Sequence, residues 1–132
     1  MKEVLDTRFI LEHYYSPDSA VRQRTTKKLK ELIQRKEGLL STISISETVK
    51  TVCEKVGRQE AENCYLSIVI SGLIIQELNA KIAKQAGLLK CRYKNLPIGD
   101  CIIASTAIIN QAKIISDDPH FDTIKETKRV WI

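Results

Sequence analysis

The sequence predicts a three-layer α/β/α fold with a mostly parallel sheet of four to five strands. Short apolar segments that suit buried strands alternate along the chain with longer stretches whose apolar residues recur at helical spacing. Such alternation is typical of a parallel sheet that is covered by helices on both faces. We expect one domain over residues 1–132, because domains commonly contain about 100–150 residues.

The first predicted unit is a short strand that runs directly into a helix. Glu3 to Leu5 supply the strand, and Asp6 is the first polar residue after it, where the chain has to leave the sheet. A second helix is predicted over about Ala20 to Arg35, because Asp18 can cap its start and apolar residues follow at helical spacing. We expect Gly38 to end this helix.

The middle of the chain predicts a second strand and two further helices. Leu39 to Ile45 is an apolar, partly β-branched segment that favours a strand. Ser46-Glu47 then opens a helix that Gly57 closes, and another helix follows over about Gln59 to Ser71.

The last part of the chain completes the alternation. Leu73 to Leu78 is the third predicted strand, and Asn79 can cap the helix that follows it. The helix from Asp100 to about Ala112 should be the most buried, because its apolar residues cover nearly all of its sides. Lys113 to Ser116 and Val130 to Ile132 are the remaining predicted strands.

The net charge of +5 is unevenly distributed. The segment from Arg22 to Glu37 contains seven cations and two carboxylates, so it alone carries a net charge of +5. A basic helix of this kind either contacts a polyphosphate such as nucleic acid or is simply solvated.

Several classes of protein are disfavoured. The longest apolar stretch is too short for a membrane span of about 20 residues, and no signal peptide is visible, so we expect a cytoplasmic protein without membrane contact. The four cysteines form no C-x-x-C pair and are expected to be small core residues in a reducing compartment, not zinc ligands. Neither a phosphate-cradling glycine loop nor a Ser-His-Asp arrangement is present.

Four acidic residues, Asp6, Glu47, Asp100 and Asp118, each follow or lie close to an apolar segment. Right-handed crossovers place the carboxyl ends of parallel strands on one edge of the sheet, where ligands bind in open α/β folds. Carboxylates gathered there repel one another unless a cation holds them. Oxygen ligands suit Mg²⁺ or Mn²⁺, so the pattern predicts a divalent metal and phosphate chemistry.

Each acid also has a purely structural explanation when it is taken alone. Asp100 can be the N-cap of its helix, and Glu47 in a first helical turn would interact favourably with the helix dipole. Asp117-Asp118-Pro119 is a good turn sequence. His120, beside this pair, either assists catalysis or lies in a surface turn.

The chain resembles the PIN-domain ribonucleases, especially the VapC-type toxins of prokaryotic toxin–antitoxin pairs. The resemblance covers nearly the whole chain and is carried by four segments, which are Val4-Leu5-Asp6-Thr7, Glu47, Asp100 to Ala107, and Ile115 to Phe121. Ser116 stands where threonine is more usual, which keeps the hydroxyl. Asp117 adds an acid beside Asp118, and the spacing to Phe121 favours Asp118 as the functional one.

The resemblance implies an α/β/α fold, Mg²⁺ or Mn²⁺ as cofactor and single-stranded RNA as substrate. It makes Asp6, Glu47, Asp100 and Asp118 the catalytic, metal-binding set, with the hydroxyls of Thr7 and Ser116 near the metal or its waters. It also implies a VapB-like antitoxin as partner and a homodimer.

Three alternatives stay open. The chain could be a PIN-type RNA-processing nuclease without an antitoxin, or a PIN-like fold retained as a non-catalytic binding module. A response-regulator receiver also has acids at the edge of a parallel sheet. Receivers, however, need an acidic pair after the first strand, where Asp6 stands alone here, and an aspartate ending the third, where Leu73 to Leu78 has none.

Overall fold

A five-stranded parallel sheet lies at the centre of the chain in the computed structural model, which describes residues 1–132. The strands are β1 (Glu3–Leu5), β2 (Gly38–Ser41), β3 (Ile74–Gln76), β4 (Lys113–Ile115) and β5 (Arg129–Val130). They are arranged in the order β3-β2-β1-β4-β5, and all four neighbouring pairs are parallel. The predicted α/β fold with its parallel sheet is thereby confirmed.

Six α-helices connect the strands. They are α1 (Thr7–Tyr15), α2 (Ser19–Arg35), α3 (Thr42–Lys55), α4 (Arg58–Val69), α5 (Ala80–Arg92) and α6 (Ile98–Ile109). Asp18 and Asn79 cap α2 and α5 as predicted, since each side chain accepts a hydrogen bond from a backbone N–H of the first turn. A membrane-spanning helix needs both length and high hydropathy, and no helix of this chain combines the two.

The helices form two layers because successive strand residues point to opposite faces of the sheet. Val4 of β1 packs into one buried cluster with α5 and α6, whereas its neighbour Leu5 packs into a second cluster with α1 to α4. Helix α6 is buried along most of its length, as its apolar sequence predicted, and contributes every residue from Cys101 to Ala107 to the interior.

The prediction for the second strand was wrong in its length. β2 ends at Ser41, whose hydroxyl accepts a hydrogen bond from the Ile43 N–H and so caps α3. This cap outweighs the β-branched residues that follow it. Glu47 therefore lies in the second turn of α3, so its explanation by a first-turn dipole fails. The cysteines are also divided, because Cys64 and Cys101 are buried whereas Cys53 and Cys91 are exposed.

Candidate active site

The structure brings the four predicted acids together in one cavity of about 260 Å³ at the carboxyl edge of the sheet. All the residues that line it are polar or charged. They are Asp6, Thr7, Arg8, Glu47, Lys50, Thr51, Asp100 and Asp118. Asp6 follows β1, and Asp118 follows β4, the neighbouring strand. Glu47 and Asp100 reach the same space from α3 and α6.

Asp6 is the most buried of the four carboxylates. The hydroxyl of Ser116 donates a hydrogen bond of 2.7 Å to Asp6 Oδ2 and accepts one of 3.0 Å from the Asp118 N–H. One buried hydroxyl thus connects the two acids that follow β1 and β4. Burial raises the pKa of Asp6 to about 6, against the opposing effect of the Ser116 hydrogen bond.

Glu47 is held by α1 and by the close approach of α6. The Thr7 hydroxyl donates a hydrogen bond of 2.6 Å to Glu47 Oε1 and lies 3.0 Å from Ser44 Oγ. Because Thr7 has a single hydroxyl proton, Ser44 must be the donor in the second contact. A Cβ atom at Gly99 would lie 2.8 Å from Glu47 Oε2, so this glycine leaves the space that the carboxylate occupies.

Asp100 lies in the first turn of α6, whose start faces the cavity. The N-cap position belongs to Pro97, so the alternative explanation of Asp100 as a capping residue is wrong. Burial, together with the nearby charges of Asp6, Asp118 and Glu47, raises the pKa of Asp100 to about 6. The pKa of this carboxyl therefore reflects both partial burial and like charges.

The adjacent acids Asp117 and Asp118 have different surroundings. Asp117 forms a two-point ion pair with Arg8, whose Nε and Nη2 donate to its two oxygens, and this guanidinium holds the pKa of Asp117 below its usual range. Asp118 lines the cavity and also accepts a hydrogen bond from the His120 N–H at the start of a short 3₁₀ helix, Pro119–Thr123. The cavity geometry thus favours Asp118, in agreement with the sequence spacing.

The four carboxylates have no basic partner apart from one histidine contact. None of them forms an ion pair with a lysine or an arginine. Arg8 and Lys50 line the cavity, but Arg8 is paired with Asp117 and Lys50 lies 3.7 Å from Glu54. Four carboxylates around one cavity, with raised pKa values for Asp6 and Asp100, suit a hard divalent cation such as Mg²⁺ or Mn²⁺, and oxygens of Asp100 and Asp118 lie within 4.8 Å of each other.

Five residues at this site did not emerge from the sequence, and they are Arg8, Ser44, Lys50, Thr51 and Gly99. Gly99 and Ser44 act on Glu47 across the packing of separate helices, and no local pattern reveals that contact. Arg8 follows the Asp6-Thr7 pair directly, so its nearness to the site could have been noticed, but its pairing with Asp117 could not.

Comparisons with known proteins agree with the observed fold. The model of the PIN domain family matches residues 4–126. VapBC2 from Rickettsia felis, bound to a DNA fragment from its promoter, superposes with a TM-score of 0.79 at 20% identity, over 99% of this chain and 98% of that chain. VapC20 from Mycobacterium tuberculosis, a toxin that cleaves the sarcin–ricin loop, gives 0.75 at 15% identity over 94% and 95% of the two chains.

FitAcB from Neisseria gonorrhoeae is a further structural relative, with a TM-score of 0.72 at 18% identity over 96% of this chain and 95% of that chain. No curated protein matches the chain in sequence. At these identities the solved structures establish a shared fold, whereas the family model matches most of the chain.

Proposed function

The chain belongs to the PIN-domain family, and we propose that it is a metal-dependent endoribonuclease that serves as the VapC-type toxin of a type II toxin–antitoxin pair. One observation carries the proposal, which is the convergence of Asp6, Glu47, Asp100 and Asp118 on a single cavity without a lysine or arginine partner. Four carboxylates in this arrangement are suited to phosphodiester hydrolysis once their charge is balanced.

The metal would be Mg²⁺ or Mn²⁺, held by these four carboxylates. When bound, it supplies an activated water and balances the charge that develops on the phosphate. The chain's own hydroxyls prepare the ligands for this task, because Ser116 orients Asp6 and Thr7 orients Glu47. Near the metal, the two hydroxyls are therefore expected to hold the carboxylates in their rotamers through hydrogen bonds and not to bind the ion themselves.

Basic residues next to the cavity and along α2 support an RNA substrate. Arg8 and Lys50 line the cavity itself, where a phosphodiester has to lie. A separate polar hollow on α2 is lined by three cations, Arg22, Lys27 and Lys30. Such contacts attract the phosphate backbone without reading sequence, so they predict an affinity for RNA that weakens with salt.

An antitoxin partner is proposed because the structural relatives include a toxin–antitoxin complex from Klebsiella pneumoniae and a VapBC toxin–antitoxin system from Mycobacterium tuberculosis. A groove between α1 and α3 offers a place for it, with Leu11, Tyr15 and Val56 among its lining residues. The groove shares Arg8 and Thr51 with the acidic cavity, so a bound VapB-like segment would reach the site. We further propose a homodimer and a cytoplasmic location, where RNA is available.

The experiment that tests the nuclease is cleavage of a structured RNA pool with Mg²⁺ or Mn²⁺, compared with EDTA and with the Asp100→Asn variant. We expect metal-dependent cutting by the wild type and almost none by the variant. Equal cutting by Asp100→Asn would contradict the assigned site. If wild type neither cuts RNA nor is stabilised by metal, a non-catalytic binding module is the better description.

The toxin assignment needs a separate test, because PIN-type RNA-processing nucleases work without an antitoxin. A short open reading frame that encodes a DNA-binding protein beside the gene should be expressed together with this chain. Co-purification of the two proteins and inhibition of cutting would support the toxin assignment. Unchanged cutting in the presence of that protein would favour RNA processing.

A further inference from the structure

A histidine approaches the acidic cavity from its outer side. One oxygen of Asp100, one oxygen of Asp118 and one ring nitrogen of His120 all lie within 4.8 Å of one another. His120 Nδ1 is 3.2 Å from Asp118 Oδ1, and the ring forms no other hydrogen bond or ion pair. We propose that His120 is an additional metal ligand of this site and biases it toward Mn²⁺ and other transition-metal ions over Mg²⁺.

The spacing of the three donor atoms suits a single ion. Ligand atoms that bind one ion at about 2.1 Å lie about 3 Å apart when they are adjacent and about 4.2 Å apart when they are opposite. The three atoms lie within 4.8 Å of one another, so a small rotation of the exposed imidazole would bring them into that span without a change in the backbone. The side chain of His120 is 69% exposed, so its ring can turn toward an ion without disturbing the core.

The backbone that carries His120 is fixed from both sides. Its N–H donates to Asp118 Oδ1 at 2.9 Å, and the next residue, Phe121, is buried in the cluster that contains α6. The ring is therefore attached to an anchored turn and not to a loose loop. This placement explains why a side chain in a surface turn can still serve the cavity.

The nitrogen donor determines the choice of metal. Mg²⁺ prefers oxygen ligands and retains its waters, whereas an imidazole nitrogen adds affinity for transition-metal ions, least for Mn²⁺ and increasingly from Fe²⁺ to Cu²⁺. A site made of carboxylates alone discriminates less between Mg²⁺ and Mn²⁺ than a site that also contains an imidazole. An imidazole in the ligand set thus favours Mn²⁺, and this inference rests on the proposed metal site of the nuclease.

The test is pulsed electron paramagnetic resonance of the Mn²⁺-loaded protein, which detects ¹⁴N bonded to the ion. We expect a nitrogen coupling in the wild type that is lost in His120→Asn. The only other histidine, His13, lies on α1 with its ring against Thr25, so His13→Asn is the matched control and should keep the coupling.

Titration calorimetry with Mn²⁺ and with Mg²⁺ measures the second consequence. Loss of supporting groups around a metal typically costs about 10- to 100-fold in affinity, so His120→Asn should weaken Mn²⁺ binding at least about tenfold. Its Mg²⁺ affinity should change much less. Equal losses for both ions would contradict the proposed selectivity.

The outcomes separate this inference from the nuclease itself. Wild-type protein could bind Mn²⁺ without a nitrogen coupling, while Asp100→Asn binds none. This result would overturn the role of His120 and leave the carboxylate site intact. A wild-type protein that binds no Mn²⁺ at all would overturn both proposals.

Discussion

The carboxylates at the two ends of strand β1 differ in whether a cation balances their charge. At the amino end, Glu3 forms an ion pair with Lys28 of α2, in which Glu3 Oε2 and Lys28 Nζ are 2.9 Å apart. At the carboxyl end, only three residues further on, Asp6 is buried, has no lysine or arginine partner, and faces three other acids across a cavity. Both acids belong to the same strand region, yet only one of them has its charge balanced by the protein.

The difference indicates which acid serves stability and which serves function. A partly exposed ion pair such as Glu3–Lys28 contributes at most about 1 kcal/mol. A buried or half-buried carboxylate without a cation destabilises the folded state near neutral pH, in line with the raised pKa values of Asp6 and Asp100. Proteins retain such costly groups where a ligand or a reaction requires them.

The largest expected effect is on RNA cleavage. Asp6→Asn removes a central carboxylate and should lower the cleavage rate at least about 100-fold. Mutation of a residue that only supports a metal ligand already lowers metal affinity or activity about 10- to 100-fold. Glu3→Gln, at the other end of the strand, should cleave RNA at the wild-type rate. Cleavage rates of the two variants at saturating Mn²⁺ provide the measurement, and similar rates would remove the distinction between the two ends.

A smaller loss is expected when the space around Glu47 is filled. In Gly99→Ala the new Cβ would lie 2.8 Å from Glu47 Oε2, so the carboxylate has to move and cleavage should fall about tenfold. Gly87 of α5 is the matched control, because nothing lies within 4 Å of a Cβ there.

Gly87→Ala should leave cleavage unchanged and raise the free energy of unfolding by about 0.5–1 kcal/mol, as expected for alanine in a helix. Equal activity of the two variants would show that the position of Glu47 does not matter.

The free energy of unfolding should depend on pH because Asp6 and Asp100 have no cation to balance their charge. The pKa values of Asp6 and Asp100 are raised to about 6 from 3.8, so the folded protein binds protons more tightly than the unfolded chain. Without metal, the free energy of unfolding should therefore be larger near pH 5 than near pH 7.5, and it should fall as the pH rises through about 6.

Asp100→Asn should weaken this dependence and raise the melting temperature of the metal-free protein near pH 7.5, because it removes one of the repelling charges. Thermal melts in EDTA at the two pH values measure both effects. The same pH dependence in wild type and in Asp100→Asn would contradict the proposed cost of these carboxylates, since the opposing contribution of His13, whose pKa is lowered by burial, is common to both proteins.

The smallest effect is expected at the neighbouring acid. Asp117→Asn breaks an exposed ion pair with Arg8, so it should change the free energy of unfolding by less than about 1 kcal/mol and leave RNA cleavage nearly intact. Asp118→Asn, by contrast, should lower cleavage about as strongly as Asp6→Asn. Chemical denaturation and cleavage assays on the two variants provide the measurement. Loss of cleavage in Asp117→Asn, with cleavage retained in Asp118→Asn, would contradict the assignment.

The sequence predicted the architecture well because the signals are local. Alternating strands and helices, the caps at Asp18 and Asn79, and the apolar surface of α6 can all be recognised within a few residues. The start of α3 was missed because a single hydroxyl, that of Ser41, outweighs the strand preference of the residues that follow.

The details of the site depend on contacts between distant segments. Arg8 separates Asp117 from Asp118 by pairing with only one of them, and Gly99 makes room for Glu47 on another helix. Neither contact leaves a local sequence pattern. The convergence of the acids could be predicted, because parallel topology determines it, whereas their hydrogen-bond partners could not.

The most direct test of the central claim is the melting temperature in EDTA and in millimolar Mn²⁺, measured for wild type, Glu3→Gln and Asp6→Asn. An ion that binds only the folded state stabilises it by about 2.7 kcal/mol at a concentration 100 times its Kd. We expect Mn²⁺ to raise the melting temperature of wild type and Glu3→Gln, and to have little effect on Asp6→Asn. An equal rise in all three proteins, or no rise in wild type, would contradict the claim that the unbalanced carboxylates form the metal site.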